Sequence, residues 1–174
     1  MPLGTSQGPN ISVLSAKAIA RAIEHKLKIT TAESCTGGLV GAALTDHPGS
    51  SSAFEYGFVV YANEAKSHLL NVDKTTISKY GAVSREVAQE MAIGALTKAS
   101  ADLSVAITGV AGPTGGTDGK PVGCVWFGVA NYRGDVHCQK RLFAKGSRHF
   151  VRTRAVETAL NLILQEIRSL TERN

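Results

Sequence analysis

Helical and strand patterns alternate along this chain, and that alternation limits the folds it can adopt. Apolar or small residues at helical spacing predict α-helices over residues 11–25, 36–44, 63–70, 84–99 and 147–170. Runs of β-branched and aromatic residues predict strands over residues 28–31, 54–61 and 103–108. Residues 122–130 and 135–143 then form a predicted hairpin about the turn 131–134.

This order of elements predicts an α/β fold, a three-layer α/β/α sandwich. Strands joined through helices pair in parallel, whereas a hairpin adds an antiparallel strand. We therefore expect a mostly parallel, mixed sheet of about five strands, with one antiparallel strand and helices on both faces. No internal repeat or second domain is evident, so residues 11–174 are predicted to form one domain after a flexible leader, residues 1–10.

The composition fits a soluble domain with a substantial core. The chain has 174 residues, of which 43% are hydrophobic and 19% charged, and a chain of this length can bury most of its apolar surface. No apolar run reaches the roughly 20 residues that span a bilayer. The first residues also lack the basic and apolar blocks of a signal peptide. We expect a cytoplasmic protein without a membrane partner.

The formal net charge of +5 favours an anionic ligand. The basic residues are scattered, aromatic residues make up 6% of the chain, and no nucleic-acid-binding motif is present. We therefore expect a small anionic molecule as the partner, and no nucleic acid. The three cysteines, Cys35, Cys124 and Cys138, lack C-x-x-C spacing, so we expect reduced thiols, with neither a disulfide nor a metal site.

A serine lies at the junction between the first predicted strand and the next helix. Ser34 belongs to the segment TAESCTGG, residues 31–38. The first free amides of a helix and the positive end of its dipole attract an anion or a developing oxyanion, and the two glycines let a ligand approach the backbone. Alternatively, Ser34 or Thr36 only caps the helix. The segment alone leaves both interpretations open.

Candidate functional segments follow each of the three predicted parallel strands. Ser34 follows the first strand, residues 61–66 end and follow the second, and the glycine-rich residues 109–120 follow the third. Ligands of open α/β sheets bind beyond the carboxyl ends of the strands, so these segments should converge. The glycine-rich loop matches neither a Walker A motif nor a dinucleotide fingerprint. It is either a mobile connection or a functional loop.

Five short motifs follow one another in a fixed order along the chain: AESCTGG at 32–38, YANEAK at 61–66, GAVS at 81–84, GVAGP followed by GG at 109–116, and KPVG at 120–123. Together they closely resemble the CinA C-terminal-domain family, and the resemblance extends from about residue 11 to residue 170. The characterised enzymes of this family are nicotinamide mononucleotide deamidases, and the chain looks like their stand-alone form. The resemblance implies hydrolysis of that nucleotide to nicotinic acid mononucleotide and ammonia, in pyridine nucleotide recycling, without a cofactor.

The family's catalytic serine, lysine and tyrosine match Ser34, Lys66 and Tyr61. Amide hydrolysis needs a nucleophile, a base that later protonates the departing ammonia, and donors for the oxyanion. None of the five histidines lies in a motif, so a Ser-His-Asp triad is disfavoured and Lys66 is the predicted base. A neutral Lys66 requires a lowered pKa, whereas most helix lysines are solvated. Tyr61 is predicted to relay the proton or to orient the lysine.

The predicted substrate-binding residues lie in the serine segment, in the glycine-rich loop and at the start of the last helix. They are Thr36, Gly37, Gly38, Gly109, Gly112, Arg148 and Arg152. The backbone amides of residues 35–38 are the predicted oxyanion hole. Arg148 and Arg152 are one helical turn apart, and they are the first and second candidates for the 5′-phosphate. A solvated helix edge is the alternative for both. Glu33 is expected to cap or pair locally, and Cys35 to be a non-catalytic thiol.

Two other functions remain compatible with the sequence. One is a non-catalytic nucleotide-binding or competence-associated interaction module, although such a module has no need for Ser34, Tyr61 and Lys66 together. The other is an amidase that acts on a different small amide, because nothing in the sequence identifies a site for the pyridine ring. We also expect the protein to form a homo-oligomer.

Overall fold

The computed structural model describes residues 9–144 and 146–172. The helices in these ranges are α1 (Pro9–Glu24), α2 (Leu39–Thr45), α3 (Asn63–Leu70), α4 (Lys74–Tyr80), α5 (Arg85–Ala99) and α6 (Arg148–Glu172). The strands are β1 (Ile29–Glu33), β2 (Phe54–Val59), β3 (Leu103–Gly109), β4 (Cys124–Asn131) and β5 (Val136–Leu142). Residues 1–8 of the predicted leader lie outside the described residues. Residues 9 and 10, the last two of the predicted leader, already belong to α1.

The strands form a mixed sheet in the order β2-β1-β3-β4-β5. β1 pairs in parallel with both β2 and β3, whereas β4 runs antiparallel to β3 and to β5. β4 is therefore the single reversed strand, and the predicted α/β fold with a mixed five-stranded sheet is confirmed. Because β1, β2, β3 and β5 run in one direction, their carboxyl ends meet at the same edge.

Alternation along β3 divides the core between the two faces of the sheet. Val105 and Ile107 pack in a cluster with apolar residues of α1 and α6. Ala106, which points to the opposite face, packs with Val87 and Met91 of α5. Successive side chains of a strand point to opposite faces of the sheet, so a strand that is covered on both faces contributes apolar residues to both clusters. Helices consequently cover both faces, as predicted.

Small residues let α5 pack closely against the sheet. A Cβ atom added at Gly128 of β4 would lie 2.3 Å from the carbonyl oxygen of Ala88, so a larger residue there would push the helix away. The segment that leads into α5 is fixed to β3, because the hydroxyl of Thr108 donates to the carbonyl of Ala82 at 2.8 Å. Residues 81–84, one of the family motifs, therefore lie beside the carboxyl end of β3.

Helix α4 (Lys74–Tyr80) has no counterpart among the predicted elements. None of its residues is buried, so the apolar stripe that identifies a helix is missing. Its start is instead determined locally, because the Asp73 carboxylate accepts a hydrogen bond from the amide of Thr75 at 2.8 Å. That bond lowers the pKa of the Asp73 carboxyl.

No helix in the described ranges combines the length and the apolar character needed to span a bilayer.

Candidate functional site

Ser34 is the first residue after β1, and the sheet fixes its backbone. Its amide donates to the carbonyl of Ile107 in β3 at 2.9 Å, which extends the pairing between the two strands by one residue. The residue is only 9% exposed. The nucleophile predicted from sequence is thus held on a rigid element at the edge where three parallel strands end.

A tight turn follows Ser34 and delays the start of the next helix. The amide of Gly37 donates to the carbonyl of Ser34 at 3.1 Å. Gly37 and Gly38 have φ values of 60° and 97°, in the left-handed region that glycine adopts at little cost. The predicted helix start at residue 36 is therefore wrong, and α2 begins at Leu39. We call residues 34–38 the nucleophile turn.

The Glu33 carboxylate occupies the amino end of α2. It accepts hydrogen bonds from the amides of Gly38 at 3.1 Å, Val40 at 3.1 Å and Gly41 at 2.8 Å. The expectation that the first helix amides point at a bound anion is therefore wrong, because the chain supplies its own anion there. The expectation that Glu33 caps locally is confirmed.

The nucleophile turn leaves two of its amides available. Of the four predicted oxyanion donors, the amide of Gly37 donates to Ser34 and that of Gly38 to Glu33. No acceptor in residues 9–144 or 146–172 forms a hydrogen bond with the amides of Cys35 and Thr36. The candidate oxyanion donors are thereby reduced to the amides of the two residues that directly follow Ser34.

Lys66 is buried beside Ser34, although it lies on a short helix where lysine is usually solvated. The residue is 1% exposed, and its Nζ lies 3.1 Å from Oγ of Ser34. Nζ also donates to the carbonyls of Val60 at 3.0 Å and Tyr61 at 3.1 Å. Lysine rarely becomes this buried without a specific role. The predicted pairing of Ser34 with Lys66 is present in the structure.

Burial lowers the pKa of Lys66, because removing the ammonium from water disfavours the charged form. The nearby Cys35 and Glu64 side chains oppose this shift, but desolvation is the largest effect. No carboxylate in the described part of the chain forms an ion pair with Lys66. The environment of the amine therefore shifts its equilibrium toward the neutral form.

The geometry around Nζ suits a base. A neutral amine has two N–H donors and one lone pair. When the two donors are directed to the carbonyls of Val60 and Tyr61, the lone pair is left facing the hydroxyl of Ser34. Lys66 can therefore accept the Ser34 proton without moving, which is the requirement for a general base.

Tyr61 contacts Arg148 through its hydroxyl and Lys66 through its backbone. Nη2 of Arg148 donates to the Tyr61 hydroxyl at 2.9 Å, and Nη1 donates to the carbonyl of Gly112 at 2.8 Å. Tyr61 as a whole is 60% exposed. Its carbonyl, and not its hydroxyl, is what lies against Nζ of Lys66. The arginine thus joins the tyrosine to the glycine-rich loop.

A cavity of about 370 Å³ opens in front of Ser34 and Lys66. Six of the predicted site residues line it: Ser34, Tyr61, Lys66, Gly109, Gly112 and Arg148. Residues that sequence reasoning did not single out also line it, among them Asn63, Ala82, Val83, Thr108 and Thr114. Most of these lie within the family motifs, which was the available signal. The glycine-rich loop forms one wall, so it is part of the site.

Four predicted binding residues do not line this cavity: Thr36, Gly37, Gly38 and Arg152. Thr36 is fully buried, and the two glycines form the turn behind Ser34. Arg152 reaches the same turn from α6, since its Nε donates to the carbonyl of Cys35 at 3.1 Å and its Nη2 to that of Thr36 at 3.0 Å. These residues shape the backbone of the site.

The Cys35 thiol is buried, and its environment keeps it protonated. Burial raises the pKa of this thiol to about 12, so the reactive thiolate is scarce at neutral pH. The side chain packs in the apolar cluster that α1 and α6 share. The predicted non-catalytic role of Cys35 is consistent with both features.

In the described part of the chain, no three His, Cys, Asp or Glu side chains are grouped as metal ligands would be.

Comparison with known proteins relates this chain to one family. The family described as CinA C-terminal domain matches residues 12–167. The chain is 50% identical over 138 residues to proteins named nicotinamide-nucleotide amidohydrolase PncC from Enterobacter agglomerans and Escherichia coli K12. The match covers 79% of this chain and 84% and 83% of those proteins. The crystal structure of competence/damage inducible protein CihA from Agrobacterium tumefaciens is 40% identical, with a TM-score of 0.90 over 92% of this chain and 97% of that one.

Proposed function

This chain belongs to the CinA C-terminal domain family, and from that membership we propose that it hydrolyses the carboxamide of nicotinamide mononucleotide. The products are nicotinic acid mononucleotide and ammonia, and the reaction recycles a pyridine nucleotide. Relatives that are 50% identical and named nicotinamide-nucleotide amidohydrolases support the substrate. The observation that carries the mechanism is the 3.1 Å contact between Nζ of buried Lys66 and Oγ of Ser34.

The proposed reaction proceeds through an ester on Ser34. Neutral Lys66 accepts the hydroxyl proton while Oγ of Ser34 attacks the carboxamide carbon. The tetrahedral intermediate collapses as protonated Lys66 donates to the nitrogen, so ammonia leaves and the acyl group stays on the serine. Water then attacks the ester, Lys66 accepts its proton, and return of a proton to Oγ releases the carboxylic acid. One amine thus acts as base and as acid in each half of the cycle.

The oxyanion of both tetrahedral intermediates needs hydrogen-bond donors. We assign the amide of Cys35, which lines the cavity, and the amide of Thr36, which is buried directly behind it in the same turn, since no described residue accepts from either. Backbone donors fixed before the reaction stabilise such an oxyanion without reorganisation, and losing one donor typically costs about a hundredfold to a thousandfold in rate. The neutral Cys35 side chain takes no part.

Arg148 is the proposed site for the 5′-phosphate. It lines the cavity, and a guanidinium binds phosphate through paired, charge-assisted hydrogen bonds. Tyr61 is proposed to orient this arginine, because its hydroxyl lies 2.9 Å from Nη2. The two predicted roles of the Tyr61 hydroxyl, to relay the proton or to orient the lysine, have no hydrogen bond to Lys66 to support them, because the hydroxyl contacts Arg148 and only the Tyr61 carbonyl contacts Nζ. The homo-oligomer and the cytoplasmic location remain predictions.

Ammonia release from three related amides tests the proposed function. Nicotinamide mononucleotide should be hydrolysed with a kcat/KM at least about tenfold above that of nicotinamide riboside, since a charge-assisted contact contributes about 1.5–3 kcal/mol. Nicotinamide, which lacks the ribose as well, should be the poorest substrate. A preference for either smaller amide would indicate an amidase of different specificity. No ammonia from any of the three would leave a binding module as the better account.

A further inference from the structure

Arg152 contacts the nucleophile turn and does not reach the substrate cavity. It lies one helical turn after Arg148 on α6, yet its guanidinium points to the backbone. Nε and Nη2 donate to the carbonyls of Cys35 and Thr36 at 3.1 and 3.0 Å. The fork of a guanidinium suits two adjacent acceptors, which a lysine cannot bind in the same way. The Cys35 carbonyl shares its peptide unit with the amide of Thr36, one of the proposed oxyanion donors, and the Thr36 carbonyl belongs to the next peptide unit.

Each of these contacts fixes the direction of an amide. The C=O and N–H groups of a trans peptide are rigidly coplanar and point in opposite directions. Holding the Cys35 carbonyl therefore directs the Thr36 N–H away from Arg152. Holding the Thr36 carbonyl likewise directs the N–H of Gly37, which donates to the carbonyl of Ser34 at 3.1 Å. That bond in turn orients the peptide unit carrying the Cys35 N–H.

The fit between the arginine and the turn is close. A Cβ atom added at Gly37 would lie 3.3 Å from Nη2 of Arg152, so a larger residue there would have to displace the guanidinium slightly. The positive charge also polarises the peptide units that it holds, which makes their N–H groups better donors. Where the nucleophile turn leads into α2, the Glu33 carboxylate fixes the amides of Gly38, Val40 and Gly41.

We propose that Arg152 is a positioning residue that sets the direction of the two oxyanion-stabilising amides through its bonds to the Cys35 and Thr36 carbonyls. This inference rests on the proposed amide hydrolysis. It replaces the alternative that Arg152 is a second ligand of the substrate phosphate. The two roles differ in their kinetics, because the oxyanion exists only along the reaction, whereas the phosphate is already bound in the ground state.

Arg152→Met and Arg152→Lys, compared with Arg154→Met, test this role. Arg154 is on the same helix, is exposed and pairs with Glu157, so its variant removes an equal charge without touching the turn. For both Arg152 variants we expect kcat to fall by about tenfold to a thousandfold. KM for nicotinamide mononucleotide, and the preference over nicotinamide riboside, should change less than about twofold. Arg154→Met should match the wild type.

A second measurement does not depend on the natural substrate. A fluorophosphonate is attacked by a serine hydroxyl at phosphorus, fluoride leaves, and the developing charge on the phosphoryl oxygen uses the same donors. The wild type should be labelled on Ser34, and the Arg152 variants should be labelled more slowly by a factor similar to their loss of kcat. Thermal melts of all variants, with the assays run well below the transition, separate this effect from unfolding.

The possible outcomes are distinct. A raised KM with normal kcat, together with a loss of preference for the nucleotide, would make Arg152 a phosphate ligand and overturn the proposal. Unchanged kcat and unchanged labelling in both Arg152 variants would overturn it as well. If the wild type releases no ammonia from nicotinamide mononucleotide, the proposed function fails. The labelling rates would then still decide the role of Arg152.

Discussion

Replacing Ser34 by alanine should lower the rate of ammonia release from nicotinamide mononucleotide by at least about a thousandfold. The change removes the only hydroxyl within hydrogen-bond distance of Nζ of Lys66 in the described residues. The lysine keeps its two carbonyl acceptors, so the buried amine is still satisfied and the fold should persist. Calorimetric binding of the nucleotide and circular dichroism check that the site and the fold are intact.

Ser50→Ala is a matched control for this experiment. Ser50 has the same 9% exposure as Ser34, and it lies in the short 3₁₀ helix Ser50–Ser52, outside the cavity. It should retain nearly full activity. If Ser34→Ala kept more than about a tenth of the wild-type rate, the hydroxyl could not be the nucleophile. Direct attack by water would then be the better mechanism.

Lys66→Arg should inactivate the enzyme as completely as Lys66→Ala. A guanidinium remains protonated at all accessible pH values and cannot accept the Ser34 proton. The arginine retains the positive charge, so the comparison separates a base from an electrostatic contact. We expect both variants to lose at least about a thousandfold in kcat, measured by ammonia release.

The control is an arginine at an exposed lysine, for which Lys98→Arg near the end of α5 is suitable. It should have wild-type activity. Because Lys66 is buried, melting temperatures must show that the longer arginine is accommodated before its kinetics are compared. A folded Lys66→Arg enzyme with near-normal turnover would show that only positive charge is needed. The base would then have to be sought elsewhere, with Tyr61 the next candidate.

The pairing of Ser34 with Lys66 was predictable because each follows a strand of a parallel sheet. The carboxyl ends of such strands share one edge, so residues that are 32 positions apart meet there. The same rule places the glycine-rich loop after β3 in the cavity wall. β5 runs in the same direction, which brings the start of α6 and therefore Arg148 to this edge.

Capping by Glu33 was predictable, but the particular amides that it binds and the carbonyls that Arg152 binds were not. Both side chains bind backbone groups. Nearly every residue has the same backbone amide and carbonyl, so the sequence does not indicate which of them a side chain binds. The small and apolar residues 36–44 also predict a helix that begins at residue 36. The left-handed conformations of Gly37 and Gly38 prevent it. The buried Glu33 carboxylate then binds the amino end of α2, which the sequence leaves open as a site for an anionic ligand.

The pH dependence of kcat/KM for ammonia release from nicotinamide mononucleotide, measured between pH 6 and pH 9, tests most directly whether neutral Lys66 activates Ser34. Burial lowers the pKa of Lys66, so the neutral fraction increases as pH rises through a value below the roughly 10.4 of a free lysine. We predict a rate that rises with pH and levels off once the amine is neutral. A rate that is highest at pH 6 and falls as pH rises would show that protonated Lys66 is the active form, and would contradict the mechanism.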